Sequence, residues 1–188
     1  MSVDAGLEAT EVRVAVTGAI YSNDAAIPVL PTTADGALDA GFVGHGYASD
    51  AGVTETTSVK SQPIRAWQNN ALVRVVVTEG DATYKTVLIQ TNAENVGLFY
   101  GDTVDTTAGS VRVRPGLAKG RRAYVIDVID GTDIIRTVIG DGEVTETGDQ
   151  VYVASGVVGY PITITAYADE NGVSATKYYS ELVDESGS

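Results

Sequence analysis

The sequence lacks cysteine and contains a single histidine, His45, and these two shortages exclude much of enzyme chemistry. Without cysteine the chain has no disulfide framework, no thiolate nucleophile and no thiolate metal site. One histidine cannot form a multi-histidine zinc site, and a lone loop histidine is more often a packed or surface residue than a general base. No serine-hydrolase, phosphate-loop, dinucleotide-binding or zinc-protease motif occurs. We therefore predict no enzymatic activity, no catalytic residue and no cofactor.

Basic residues and long apolar runs are also scarce. The 12 Lys and Arg residues stand against 25 Asp and Glu residues, which gives a formal net charge of −13. This balance argues against a protein that holds nucleic acid or an anionic membrane electrostatically. No apolar run approaches the ~20 residues of a membrane helix, and residues 1–9 have neither the basic nor the apolar region of an export signal. We expect a protein that is made in the cytoplasm and does not enter a membrane.

The residues that are present alternate as in β-strands, with Gly and Asp where turns are needed. Three predicted hairpins pair residues 71–78 with 82–90 around Glu79-Gly80-Asp81, 122–129 with 132–139 around Asp130-Gly131, and 161–168 with 173–179 around residues 169–172. Further strands are predicted at residues 11–21, 52–58, 64–68, 110–114 and 142–147. Asp-Gly and Asn-Gly supply the positive φ angles of tight hairpin turns. The sequence thus predicts an antiparallel, mainly β protein.

One short helix is predicted at about residues 92–100. Thr91 and Glu94 have the spacing of a capping box, and Gly101 can end the helix. A helix of this length must pack against a sheet to be stable.

Residues 23–49 form a long loop or arm with no sustained periodicity, and they are too apolar for a solvated linker. Two interpretations are open: an arm that docks on a neighbouring copy, with Ile27, Leu30 and Phe42 as subunit contacts, or a loop packed on its own domain. We expect residues 1–183 to form one domain and residues 184–188 to form a flexible acidic tail.

Two charged clusters stand out. Asp127, Asp130 and Asp133 superficially suggest calcium, but their spacing is not that of an EF-hand and Asp is ordinary at a turn, so we predict no metal site. Five of the 12 basic residues lie within eleven positions: Arg112, Arg114, Lys119, Arg121 and Arg122. They form either an ion-pairing surface for acidic patches on identical neighbours or an exposed turn kept soluble by charge. Binding of nucleic acid is the weakest interpretation, because stacking aromatics are absent from this stretch.

Six segments occur in an order that is typical of one family: GYASDAGVTE (46–55), IRAWQN (64–69), LIQTN (88–92), YVIDVIDG (124–131), GEVTETGD (142–149) and GYPITITAY (159–167). In these segments the chain resembles the major tail proteins, or tail tube subunits, of long-tailed bacteriophages, particularly those that infect actinobacteria. The segments span roughly residues 10–180. None is a catalytic motif, and the ordered set carries the resemblance.

The resemblance implies a β-sandwich or partly open barrel with one flanking helix. It also implies a structural virion protein that forms hexameric rings, stacked into a tube that conducts the genome into the host. Its partners would be other copies of itself and the tape measure, tail tip and terminator proteins, with assembly in the host cytoplasm. Viral DNA would pass without specific binding, which suits an acidic subunit because Lys and Arg contacts add affinity for phosphates. We expect Glu79 and Asp81, at the predicted hairpin turn, to face the lumen.

A different class of protein is the alternative: a monomeric β-sandwich binding module, either an adhesin or carbohydrate-binding domain or a capsid decoration protein. Such modules usually present several aromatic side chains on one face. Aromatic residues make up only 7% of this chain. We interpret the single tryptophan, Trp67, as a core residue.

Overall fold

The alternating segments form one antiparallel sheet in the computed structural model, which describes residues 8–182. Within these residues the strands are β1 (Thr17–Asn23), β2 (Val43–Gly44), β3 (Ala48–Arg65), β4 (Leu72–Leu88), β5 (Arg121–Asp130), β6 (Asp133–Thr147), β7 (Tyr160–Ala166) and β8 (Thr176–Tyr179). One α-helix, α1 (Ala93–Tyr100), and three 3₁₀ turns at Ala9–Glu11, Gln68–Asn70 and Ser180–Leu182 complete the regular structure. The predicted acidic tail, residues 184–188, lies outside the described residues. None of the helices between residues 8 and 182 is long and apolar enough to cross a membrane.

The strand order is β2-β1-β5-β6-β7-β4-β3, and β8 pairs with the free edge of the first part of β6. All pairings are antiparallel, and the sheet is not closed into a barrel. The predicted class, mainly β with one short flanking helix, is confirmed.

The core lies between one face of the sheet and α1. Alternate residues of β7 are buried, as expected for a strand with one face in the core. Phe99 of α1 packs edge-on against Tyr160 at a centroid distance of 5.6 Å. The core residues come from five strands and the helix: Ile20, Tyr84, Leu88, Leu98, Phe99, Tyr124, Ile126, Ile139, Val144, Tyr160, Ile162 and Ile164.

The middle of strand β5, residues 123–127, is buried on both faces, because part of the 23–49 segment covers the side opposite the core. Arg136 and Asp127 are directly opposite each other on β6 and β5, with Nε–Oδ1 and Nη2–Oδ2 distances of 2.7 and 2.8 Å. The same guanidinium donates to the carbonyl oxygens of Thr33 and Gly36, at 3.3 and 2.5 Å. Residues 31–36 are thereby held on their own sheet, whereas Ile27 is 90% exposed. The interpretation as a loop packed on its own domain therefore holds for residues 31–36, and docking of the rest on a neighbouring copy stays a prediction.

The hairpin predicted around Glu79-Gly80-Asp81 is wrong. These residues lie within one continuous strand, β4, in which Gly80 is paired with Val59 and does not have the positive φ of a tight turn. The turn lies instead at residues 66–71, so the predicted strands 52–58 and 64–68 merge into β3.

The hairpin around Asp130-Gly131 is confirmed, with Gly131 at φ +63°. The third predicted hairpin is wrong, because β7 pairs with β4 and the end of β6, while β8 pairs with the beginning of β6. Residues 142–147 continue β6, and the first strand begins at Thr17 rather than at residue 11. Residues 110–114 contain only an isolated bridge between Ser110 and Asp105.

The predicted helix is confirmed, although its cap is one residue later than the capping box suggested. The Asn92 side chain accepts a hydrogen bond from the amide of Asn95 at 2.8 Å, and Gly101 ends the helix at φ +72°. Thr91 instead accepts a hydrogen bond from the Tyr160 hydroxyl at 3.1 Å.

Candidate assembly surface

The outer halves of β3 and β4 project from the sheet as a two-stranded hairpin, residues 57–81. From here on we call this hairpin the arm; it is distinct from the 23–49 segment. Strand β7 pairs with β4 only from Ala82 to Leu88. From Asp81 to the tip, β3 and β4 pair only with each other among the described residues. From Thr57 to Arg65 the arm extends roughly 26 Å at ~3.3 Å per residue. An isolated two-stranded ribbon is at best marginally stable in water.

One face of the arm is apolar and uncovered. Ala82 and Tyr84 of β4 are buried in the core, and their face continues outward through Gly80, past a bulge at Thr78, to Val77 and Val75. Both valines are exposed, by 65% and 51%, as is Val59 on the neighbouring strand, by 66%. The core face of the sheet therefore continues along the arm as an exposed apolar surface formed by Val59, Val75 and Val77, which we call the valine surface.

The opposite face of the arm is polar near its base and carries Ile64 and Val76 as well toward the tip. Lys60 forms an ion pair with Glu79 directly across the two strands, and Asp81 lies opposite Ser58. This hydrogen-bonded partner is the main reason that the pKa of Lys60 is raised. Glu79 and Asp81 thus lie at the base of the arm, in the middle of β4, rather than at a turn.

The tip of the arm carries Trp67, which is 97% exposed, so its interpretation as a core residue is wrong. Asn69 and Asn70 both adopt the left-handed conformation, at φ 56° and 54°, which Asn tolerates better than most residues. Ala66 N–H donates to the Ala71 carbonyl at 2.8 Å and closes the turn. Asn69-Asn70 is the sequence signal for this turn, but the turn-like Glu79-Gly80-Asp81 further along the chain led to the wrong prediction.

The basic stretch does not form one cluster. Three of its side chains have partners in their own subunit: Arg114 Nη2 binds Asp102 at 2.6 Å, Lys119 Nζ donates to the Phe99 carbonyl at 2.6 Å, and Arg121 Nη1 binds Asp141 at 2.5 Å. The Arg114 hydrogen bond is the main cause that lowers the pKa of Asp102, and burial lowers the pKa of Lys119. Arg112 is exposed and Arg122 half-buried. These partners favour a local role, and contact with another subunit stays a prediction.

The three apolar residues predicted as subunit contacts lie apart from the arm. Ile27 is exposed, Leu30 is 37% exposed and lines a groove beside β6, and Phe42 is half-buried next to β2. Their role between subunits also stays a prediction.

His45 is a packed residue. Asn95 Nδ2 donates to the carbonyls of His45 and Gln90, so its Oδ1 must accept from His45 Nδ1 at 2.8 Å. Nε2 of His45 then accepts from the Ser22 hydroxyl at 2.9 Å. Burial is the main cause that lowers the pKa of His45 and keeps the ring neutral. The histidine joins the 23–49 segment to α1 and β1.

The three aspartates that suggested calcium have separate protein partners. Asp127 binds Arg136, Asp130 accepts from the Val14 amide at 2.8 Å, and Asp133 binds Arg13 at 3.1 Å. Within residues 8–182 no group of three or more His, Asp or Glu side chains is arranged to hold a metal ion.

Comparison with known proteins identifies the kind of chain to which this arm belongs. The family model described as "Phage tail tube protein" matches residues 5–186 of the 188. No curated protein matches the chain. The family match includes the arm, the sheet and the helix, and thus nearly the whole sequence.

Proposed function

The chain belongs to the phage tail tube protein family, and from this premise we propose that it assembles into hexameric rings, stacked into the tube that conducts the phage genome into the host. Family membership makes it a structural component of the virion tail and points to a non-enzymatic protein. The observation that carries the ring proposal is the arm, whose core-facing side is not covered by any of residues 8–182.

Burial of the valine surface supplies the driving force. Covering a half-exposed valine contributes about 1 kcal/mol or more. The arm presents three such residues, Val59, Val75 and Val77, on a face that continues the core. Strand β3 is also an edge strand, with an unpaired row of backbone groups that a second chain can pair with. A ring of identical subunits satisfies both needs because each arm is covered by its neighbour.

The opposite face of the same strands suits a channel wall. It carries hydroxyl side chains across three strands: Thr54, Thr56, Thr83, Thr163 and Thr165. Two lysines lie on this face between the base of the arm and the end of β7, inward of Arg74 at the tip, and each has a carboxylate in its row: Lys60 is paired with Glu79, and Lys85 shares its row with Glu146. Hydroxyls, carboxylates and accompanied lysines give phosphate groups little to bind, so DNA passes freely. We therefore keep Glu79 and Asp81 as lumen residues.

The remaining expectations follow from the same role. The tube joins other tail components, among them the tape measure, tail tip and terminator proteins, and forms in the host cytoplasm. The resemblance to subunits of phages that infect actinobacteria suggests such a host.

Negative-stain electron microscopy of concentrated protein, over a range of salt, tests the proposal. We expect hollow tubes or stacked rings with a central channel. The double variant Val75→Ser/Val77→Ser should lose about 2 kcal/mol of contact per subunit, which raises the critical concentration roughly 30-fold. Val151→Ser/Val153→Ser is the matched control, since these valines are 58% and 54% exposed outside the arm.

Monomers at every concentration, with no polymer even when seeded by a phage tail tip, would overturn the tube. A monomer that bound glycans through the exposed Trp67 would then support the binding-module alternative.

A further inference from the structure

The tip of the arm differs in charge from the rest of the chain. Residues 61–76 contain two arginines, Arg65 and Arg74, and no Asp or Glu, in a chain of net charge −13. Within residues 8–182 neither arginine forms an ion pair, and Trp67 between them is almost fully exposed. The tip is therefore a cationic, aromatic end whose arginines have no acidic partner in the described part of their own subunit.

We propose that this tip docks into an acidic groove on a second copy of the chain. The groove, of about 590 Å³, lies between residues 30–32, β6 and the turn that leads into β8. Its lining combines three carboxylates with apolar and aromatic side chains and contains no Lys or Arg: Asp141, Asp169, Glu170, Leu30, Val138 and Tyr167. The inference rests on the proposed self-assembly, and it names the two surfaces that meet.

The carboxylates of the groove are only partly neutralised within the described part of their own subunit. Hydrogen bonds from backbone amides, that of Val173 first, lower the pKa of Asp169. Glu170 forms no ion pair within residues 8–182, and Asp141 shares its charge with one internal arginine, Arg121. The groove therefore holds more negative charge than its own subunit neutralises, and the guanidinium groups of Arg65 and Arg74 can complement it.

The occupant must come from another copy. Two strands, β7 and β4, separate β6 from β3 in the sheet, and the arm carries its tip roughly 26 Å outward from the body. The 97% exposure of Trp67 agrees with a tip that does not reach the groove of its own subunit.

A second groove, between β1 and the beginning of β3, is the competing receptor. It has a volume of about 440 Å³ and an apolar lining, but Asp50 is its only exposed carboxylate among the described residues. Its other acid, Asp127, is buried and bound to Arg136. Charge complementarity therefore favours the first groove.

Disulfide trapping tests the contact. The chain has no cysteine of its own, so every disulfide that forms must involve the introduced cysteines. Trp67→Cys is combined with Ala168→Cys, which lies in the acidic groove, and in the matched control with Ala48→Cys, which lies in the second groove. After oxidation at assembly concentration, we expect covalent oligomers from the first pair only. Covalent oligomers from the control alone, or from neither pair, would overturn the proposal.

Charge reversal gives an independent readout. Arg65→Glu should raise the critical concentration about tenfold, and Glu170→Arg in the same chain should reverse most of that increase, because the pair is re-formed with opposite signs. A defect that Glu170→Arg leaves unchanged or worsens would count against the contact.

The single tryptophan of the wild-type chain separates this proposal from the tube itself. Its fluorescence emission should shift to shorter wavelength when Trp67 leaves water on assembly. If tubes form while the emission stays that of a solvated indole, the proposed docking contact is contradicted and the proposed tube is supported. If no tube forms but the Trp67→Cys/Ala168→Cys variant still cross-links between copies, the docking contact is supported and the proposed tube is contradicted.

Discussion

We call the described chain without the arm the body. Valine side chains in the strands of the body's core are buried, whereas valine side chains in the arm are exposed to water. Val125 of β5 has no exposed surface, while Val77 of β4 is 65% exposed. Both lie in antiparallel strands within regular backbone pairing. The difference arises because the middle of β5 is covered by core residues on one face and by residues 31–36 on the other, whereas no other part of the described chain forms a layer over the arm. Strand formation and burial are therefore separate properties in this chain.

Each of the two regions also contains a cross-strand ion pair, but the two pairs differ in their exposure to water. Arg136–Asp127 and Lys60–Glu79 are both ion pairs between directly opposite residues of adjacent strands. The side chains of the first pair are only 7% and 8% exposed, whereas those of the second are 67% and 55% exposed. The buried pair holds residues 31–36 on the sheet, while water screens the arm pair.

The largest effect should follow from breaking the buried pair. Arg136→Met leaves the Asp127 carboxylate buried without a partner and releases the Thr33 and Gly36 carbonyls, which should cost about 3–5 kcal/mol of unfolding free energy. Urea denaturation measures this loss. Lys60→Met is the matched change in the arm and should leave the unfolding midpoint nearly unchanged. Equal losses in the two variants would contradict the contrast between body and arm.

The pH dependence of stability should also originate in the body. The folded pKa of His45 is lowered, so below pH 6.5 the unfolded state binds a proton that the folded state does not. Stability should therefore fall as the pH decreases from 7.5 to 5.5, by at most about 1.4 kcal/mol per pH unit for this one group. The lowered pKa values of Asp102 and Asp169 act at lower pH, outside this interval.

Urea denaturation of wild type and His45→Gln at both pH values isolates this contribution. The variant should lose less stability on acidification than the wild type does. Identical pH slopes in the two proteins would show that His45 is not the group responsible.

One substitution made in both regions should have different consequences. Asn92→Ala removes the cap of α1 and should cost about 1 kcal/mol of unfolding free energy. Asn69→Ala strains the turn of the arm, because alanine disfavours a φ of 56°. Since the arm contributes little to the core, this strain should not shift the unfolding midpoint. A comparable shift in Asn69→Ala would mean that arm and body unfold as one unit.

The smallest effect on stability should come from removing the arm. Ser58 and Asp81 are directly paired, so residues 59–80 can be replaced by an Asn-Gly turn without changing the register of the body. We expect a change in unfolding free energy below about 1 kcal/mol, together with complete loss of tube formation. Calorimetry and electron microscopy of the same preparation measure the two properties.

Part of the fold followed from local patterns. The Asp130-Gly131 turn marked the β5–β6 hairpin, since glycine at positive φ suits a tight turn wherever its strands lie. The helix was marked by its polar cap and by Gly101. In both cases the deciding interactions lie within a few residues along the chain.

The arm and the last strand did not follow from such patterns. Glu79-Gly80-Asp81 has turn chemistry, but Gly80 stays extended because Val59 pairs with it from a distant part of the chain. Strand β8 joins β6 rather than β7, which already has a strand on each side. Of the predicted site, the sequence placed Glu79 and Asp81 at a turn, whereas they lie inside the continuous strand β4; their role in the lumen stays a prediction.

By itself the sequence determined the class of the protein: composition excluded thiol and multi-histidine chemistry, alternation required antiparallel strands, and six ordered segments carried the family resemblance. Only the tertiary structure decided which apolar residues are covered. Alternation specifies that a strand has an apolar face, but whether that face meets a core, a neighbouring segment or water depends on partners distant in sequence. For that reason Trp67 and the arm valines, indistinguishable in sequence from core residues, lie on the surface from which we propose that the tube is built.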